Sequence, residues 1–331
     1  MDEQTLINDT MKAVRLYQYG TFEQLRYEEI ALPTVADNQV LVKIYATSVN
    51  HLEIKKASGA FKNKFELKFP WIPGHDFAGI VKQVGKNVSS FRIGDNVYGN
   101  ANDGYAHSDQ GSYAEYIAAD VSKLALMPHN LTFIEASTVP HVGETAWQAI
   151  HTYGKLKSGE SVLIHGATGG VGAFATQFAR KVGAKIYATA SAKNKELAES
   201  YGADVVIDYR STDFSEVLSD IDLVLVLTGG DVQEKSYKVL KKGGRLISIT
   251  GPIIESLASK YEVKGTSMVI KQSGADLQEI TQLIENAGIK TDVDQILPLE
   301  KASQAWETLL GTNPSLPKVK HGKVVLEVCK E

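Results

Sequence analysis

The sequence has 331 residues, more than one ordinary hydrophobic core accommodates, so two domains are expected. Its 43% hydrophobic and 22% charged fractions are those of a soluble globular protein, and a formal net charge of −4 gives no reason for a nucleic-acid or membrane-surface partner. No apolar run approaches the roughly 18–20 residues a bilayer span needs, and the single cysteine, Cys329, allows neither an internal disulfide nor a Cys-rich zinc site, which fits a reducing cytoplasm.

The first ten residues, MDEQTLINDT, have neither a basic start nor an apolar stretch, so no secretory signal is expected there. They read as a short disordered extension, with the fold beginning near Met11. From Met11 to about Val121 the chain reads as short strands separated by Gly, Pro and Asn turns. Val40 to Ala46 and Ala78 to Val84 are β-branched and bounded by turn residues, and Asp95 to Tyr98 and Gly111 to Ile117 are further short strands. From about Asn130 strands alternate with helices. SVLIHG, a helix over Val171 to Val182, KIYATA, a helix over Lys193 to Tyr201, VVIDY, LVLVLTG, a helix over Val232 to Leu240 and RLISITG follow in turn. That alternation predicts right-handed βαβ units and a doubly wound parallel sheet, giving an α/β fold with a β-rich companion domain. After about Gly265 come a helix over Leu277 to Ala287, a strand at Val293 to Leu297, a helix over Glu300 to Leu310 and a last strand, KVVLEV. Periodicity alone leaves open where that last strand pairs.

The strongest motif is Gly166-Ala167-Thr168-Gly169-Gly170-Val171-Gly172, between an apolar strand and an amphipathic helix. Glycines at 166, 169 and 172 permit a tight turn, close backbone approach to a pyrophosphate, and close packing of helix on strand. The helix N-terminus then offers free N–H groups and a partial positive charge to the phosphates. An NAD site usually has Asp or Glu at the end of the second strand, about 20 residues on. This chain has Ala190-Ser191-Ala192-Lys193-Asn194-Lys195 there. Without a carboxylate to repel a 2′-phosphate, with Ser191 to donate and Lys195 or Lys193 to pair with it, NADPH is the expected cofactor. Tyr209, after the third strand, is placed to cover the same phosphate.

MKAVRLYQYG, PWIPGHDFAGIVKQVG, FRIGDNVYG, GSYAEYIAAD, ETAWQAI, HGATGGVG, YGADVVIDYR, KGGRLISITG and HGKVVLEV occur in an order that resembles the zinc-independent medium-chain dehydrogenase/reductases. The likeness is to the quinone oxidoreductases and their alkenal-reducing relatives, and runs from Met11 onward. It implies a GroES-like catalytic domain formed by residues 11–129 and 266–331, a Rossmann dinucleotide-binding domain over 130–265, an active site in the cleft between them, and a homodimer. It also implies that Asn50 and Thr145 lie near the nicotinamide, that Thr228 and Gly251 bind cofactor after the fourth and fifth strands, and that Lys323 closes over the cofactor. Zinc-dependent members need Cys and His ligands around an open position. Here Asn50 stands where the first Cys would be, His75 survives, and no metal is expected. The related reductases often carry Arg and Tyr around the glycine closing the Asn50 segment, whereas this chain reads Lys55-Lys56-Ala57-Ser58-Gly59-Ala60-Phe61.

A site without a metal suits acceptors that are already electrophilic. The implied activity is therefore hydride transfer from NADPH to a quinone or to an enone or alkenal, a developing oxyanion being met by a few hydrogen-bond donors such as the Asn50 amide. An enoyl-thioester reductase and a non-catalytic NADPH-binding protein remain open as alternatives. Phe61, Phe65, Trp71 and Tyr105 are candidates for the pocket wall, with core packing the alternative role for each.

Overall fold

The computed structural model describes residues 9–64, 66–101 and 110–330. Phe65, Tyr105 and most of the N-terminal extension lie outside the described residues. The chain forms two compact units. One comprises the chain up to His141, Lys271–Asn286 and the chain from Val293 onward; the other comprises Val142–Ile270 and Ala287–Asp292.

The second unit is built on a six-stranded sheet whose neighbouring strands all run parallel. In chain order the strands are Ser161–His165, Lys185–Ala190, Val205–Asp208, Ile221–Val226, Leu240–Ser248 and Lys264–Ser267. Their spatial order is third, second, first, fourth, fifth, sixth. The order reverses between the first and fourth strands, the switch point at whose carboxyl ends open parallel sheets bind ligands. Ile221–Val226 (IDLVLV) is buried along its whole length, the near-continuous apolar run that a central parallel strand covered on both faces requires. Its one charge, Asp222, accepts hydrogen bonds from the Ser161 N–H and hydroxyl, each at 2.9 Å, and pairs with Lys241.

The first unit carries a seven-stranded sheet. Its main order is Val293–Pro298, Lys323–Glu327, Gln39–Ser48, Asp76–Val84, Asn96–Asn100 and Leu124–Leu126, with Tyr116–Asp120 also pairing with Gln39–Ser48. Thr10–Arg15 and Arg26–Ala31 form a separate antiparallel ribbon. The last strand does rejoin the β-rich unit: Val325 pairs with Ser48, Leu326 with Thr47 and Glu327 with Ala46, antiparallel. Beneath lies a core holding Leu16, Trp71, Tyr113, Trp306, Val324 and Leu326. Trp71, only 3% exposed, is a core side chain.

Candidate active site

In the parallel-sheet unit, the turn after Ser161–His165 is shaped by two glycines. Gly166 has φ +67°, a left-handed conformation that a side chain disfavours. A Cβ on Gly172 would lie 2.1 Å from the Gly166 carbonyl oxygen, so helix Gly170–Val182 packs on the turn only because residue 172 has no side chain. Gly169, at the helix N-cap, is exposed, and Gly170 and Val171 are half-buried, which leaves the first-turn N–H groups facing outward. The buried Thr168 accepts a hydrogen bond from Asn194 Nδ2 at 3.1 Å, tying the cradle to the segment after the second strand. The Gly166 N–H donates to Thr189 Oγ1 at 3.2 Å. Thr228, beyond the fourth strand, has its methyl group 3.0 Å from where a Gly166 Cβ would sit. Gly251, beyond the fifth, has open space at its Cα, and its carbonyl accepts from Ser248 and Ser267 at 3.1 Å. The glycine turn, Ser191, Thr228 and Gly251 thus share the carboxyl edge of one sheet.

The end of the second strand is basic. Half-buried Ser191 is followed by exposed Lys193 and Lys195, and among the described residues Lys195 pairs with Glu199, at 3.8 Å. The Tyr209 N–H donates to the Ala190 carbonyl at 3.3 Å, which sets Tyr209, 56% exposed, beside Ser191. The Arg210 guanidinium lies over that ring, 5.6 Å from its centroid. The sequence gives no signal for Arg210, because an arginine after a short strand is ordinarily solvated surface. The pairing of Asp208 with Ala190 and the backbone tie of Tyr209 to Ala190 bring it to this corner. Thr145, in the same unit, is buried in helix Pro140–Trp147, which runs on into a π-helical turn, Gln148–Tyr153. Single-turn π distortions are frequent at functional sites.

In the β-rich unit, Asn50 precedes helix His51–Ala57 and its N–H donates to Glu53 Oε1 at 2.7 Å. Around it lies a buried polar network. Asn50 Nδ2 donates to Asp76 Oδ2 at 2.8 Å, and Ser48 Oγ donates to the same oxygen at 2.5 Å. The His141 N–H donates to Asp76 Oδ1 at 2.6 Å. Lys323 Nζ donates to Asn50 Oδ1 and lies 3.5 Å from Asp76 Oδ2. On the other side of Glu53, its Oε2 meets His75 Nδ1 at 2.9 Å, and His75 Nε2 meets Lys56 Nζ at 3.3 Å. Tyr113 OH donates to Glu53 Oε1 at 3.0 Å and accepts from Trp306 Nε1 at 3.1 Å. Lys323, expected over the cofactor, is thus placed against Asn50 and Asp76.

Desolvation dominates the ionisations here. Burial raises Glu53 to about 7, against the pull of the Asn50 N–H and Lys323. Burial lowers Lys56 to about 8, opposed by Glu53. It lowers Lys323 too, against Asp76 and Glu53. For Asp76 burial is the largest single influence and acts upward, yet Lys323, His141, Asn50 and Ser48 together hold it below its ordinary value.

A zinc ion does not fit this donor set. Asn50 Oδ1 already accepts from an ammonium, both ring nitrogens of His75 are engaged, and no cysteine is near. Among the described residues no group of three His, Cys, Asp or Glu side chains is placed to hold a metal. A dinucleotide does fit the other unit, since the cradle is open at Gly169 and shaped by glycines where a Cβ would fill it.

Fold and cradle together define a dinucleotide-dependent oxidoreductase. Residues 36–129 match the alcohol dehydrogenase GroES-like domain, and residues 201–326 match the family described as zinc-binding dehydrogenase. The chain is 34% identical to 2-methylene-furan-3-one reductase of Solanum lycopersicum, over 87% of this chain and 72% of that one. It is 32% identical to the chloroplastic NADPH-dependent alkenal/one oxidoreductase of Arabidopsis thaliana, over 93% and 78%. The crystal structure of Escherichia coli quinone oxidoreductase complexed with NADPH superposes with a TM-score of 0.83 at 26% identity, covering 96% of this chain and 99% of that one. The chain belongs to the zinc-independent medium-chain dehydrogenase/reductases, in the quinone oxidoreductase-like branch.

Proposed function

We propose that this protein is an NADPH-dependent, metal-independent reductase that delivers hydride to a quinone or to the β-carbon of an enone or alkenal. The observation that carries the reading is the glycine cradle with a basic, carboxylate-free corner beside it. Gly166, Thr168, Gly169, Gly170, Val171 and Gly172 hold the pyrophosphate by backbone N–H groups at the helix start. Ser191, Lys195 and Tyr209, joined by Arg210, receive the 2′-phosphate, and Thr228 and Gly251 complete the cofactor edge. The names of the tomato and Arabidopsis relatives, and the NADPH bound to the Escherichia coli structure, support both the cofactor and the acceptor class.

When bound, the nicotinamide supplies the hydride; the chain supplies position and charge. As hydride reaches the β-carbon, negative charge gathers on the acceptor oxygen. The Asn50 amide commits one Nδ2 proton to Asp76, and among the described residues nothing accepts the other. That N–H is the donor we assign to the oxyanion, with Thr145 beside the nicotinamide and water supplying the proton. We further place the protein in the cytoplasm as a homodimer, on family likeness.

The test follows absorbance of NADPH, and separately NADH, with a panel of quinones and 2-alkenals. Faster consumption of NADPH with at least one acceptor is expected. Binding of NADPH with no turnover on any acceptor overturns the reading.

A further inference from the structure

We propose that Lys323 is a positioning residue for the reduction, fixing and polarising the Asn50 amide so that its uncommitted N–H is presented as the oxyanion donor. The inference rests on the reading above, in which Asn50 is that donor.

A lysine that is 6% exposed needs a reason to be inside. Serving as counter-ion to Asp76 is an incomplete one. Asp76 already accepts from Ser48 Oγ, Asn50 Nδ2 and the His141 N–H, and the ammonium bonds the amide oxygen while standing 3.5 Å from the carboxylate. The amide lies between a group that only donates and a group that only accepts. Its polarity therefore has one solution, with Oδ1 toward Lys323 and Nδ2 toward Asp76. Turning it over would set N–H against ammonium and carbonyl against carboxylate.

Strand pairing delivers the lysine to this spot. The Val49 N–H donates to the Val324 carbonyl at 2.9 Å, and Val325 pairs with Ser48, so residue 323 lies alongside residue 50. An ammonium on the carbonyl side draws electron density from the amide and strengthens both of its N–H donors. One of them is spent on Asp76. The other is held in a single direction before any substrate arrives, as preorganised stabilisation of a developing charge requires.

The experiment compares wild type with Lys323→Met, Lys323→Arg and the double variant Lys323→Met/Asp76→Asn, which removes both charges. Readouts are melting temperature, and kcat and KM for NADPH with but-3-en-2-one and with 1,4-benzoquinone. The double variant is expected to melt near wild type yet lose on the order of 100-fold in kcat, the scale of a misplaced reacting group. KM for NADPH should stay within about threefold, since ground-state binding is untouched. Lys323→Arg should recover part of the loss. A double variant with wild-type melting and wild-type kcat would show that Lys323 merely balances Asp76, and overturns the proposal, as does a loss confined to KM. Should Lys323→Met alone fail to fold, the double variant and Lys323→Arg still decide. An inert wild type would instead overturn the functional reading. The side-chain amide resonance of Asn50, identified by its loss in Asn50→Ala, then tests the inference by itself. A shift between Asp76→Asn and the double variant, with none between wild type and Lys323→Arg, is expected, and a resonance unmoved between Asp76→Asn and the double variant overturns it.

Discussion

His165 ends the first strand of the parallel sheet with hydroxyls as its hydrogen-bonding neighbours: Thr189 Oγ1 is 3.3 Å from Nδ1 and Ser236 Oγ is 3.1 Å from Nε2. Burial against Phe214 pushes it down to about 3. In the fold it stays neutral, while an unfolded chain takes up the proton below about 6.5. The unfolded state therefore binds more protons between those values, and stability falls as pH falls through them, by up to about 1.4 kcal/mol per pH unit. His165→Asn should flatten the pH dependence of melting between pH 6.5 and 4. Equal slopes in the two proteins would remove His165 from the account of acid sensitivity. At the basic corner, Lys195→Ala and Arg210→Ala should each raise KM for NADPH about tenfold, some 1.4 kcal/mol of charge-assisted contact, with KM for NADH unchanged. Parallel changes for both cofactors would mean that neither residue reads the 2′-phosphate. Ser191, Lys195 and Tyr209 could be picked out from sequence because each follows a recognisable strand. The contact of Lys323 with Asn50 could not, since 273 positions separate the two and only the strand register joins them.

Among elements, the glycine turn makes the sharpest forecast. A methyl at residue 172 meets backbone, the Gly166 oxygen at 2.1 Å and the Ala167 Cα at 2.8 Å, so the helix has to shift off the turn. Gly172→Ala should lower stability by about 1–3 kcal/mol, as overpacking does, and weaken NADPH binding with it. Gly251→Ala meets nothing within 4 Å, so its melting should match wild type while NADPH binding alone changes. Calorimetry and a binding titration on both variants separate packing from contact. If Gly172→Ala melts like wild type, the helix does not pack against the Gly166 turn this closely. The buried strands and their helices were legible because their apolar runs exceed what solvent tolerates. Arg26–Ala31 (RYEEIA) and Lys264–Ser267 (KGTS) were not, one an exposed ribbon strand and the other a short sheet edge with no buried residue. Their hydrogen bonds depend on partners elsewhere rather than on local hydrophobicity. Helix His51–Ala57 was missed for a related reason, being seven residues long and carrying Glu53 and Lys56 inward.

For the whole molecule, the return of Lys323–Glu327 to the strand Gln39–Ser48 decides which chemistry the β-rich unit supports. The sequence showed the last strand but not its neighbour, and so assigned Lys323 by likeness to relatives. Pairing brings an ammonium to the amide at position 50, and a second cation beside it would face Coulomb repulsion in a poorly solvated place. His75 adds to the obstacle, since freeing either ring nitrogen leaves Glu53 or Lys56 with one partner fewer inside the protein. The parallel-sheet unit, by contrast, leaves helix N–H groups open to an anion. A chelator and the cofactor should therefore act differently. Excess chelator is expected to leave melting temperature and NADPH consumption unchanged. NADPH at 100 times its Kd is expected to stabilise the fold by about 2.7 kcal/mol, read as a rise in melting temperature, with a smaller rise for NADH at the same concentration. A chelator-induced drop that zinc reverses would place a metal where Lys323 stands and undo the assignment of both residues. Equal shifts with the two nucleotides would keep the cradle and withdraw the 2′-phosphate corner.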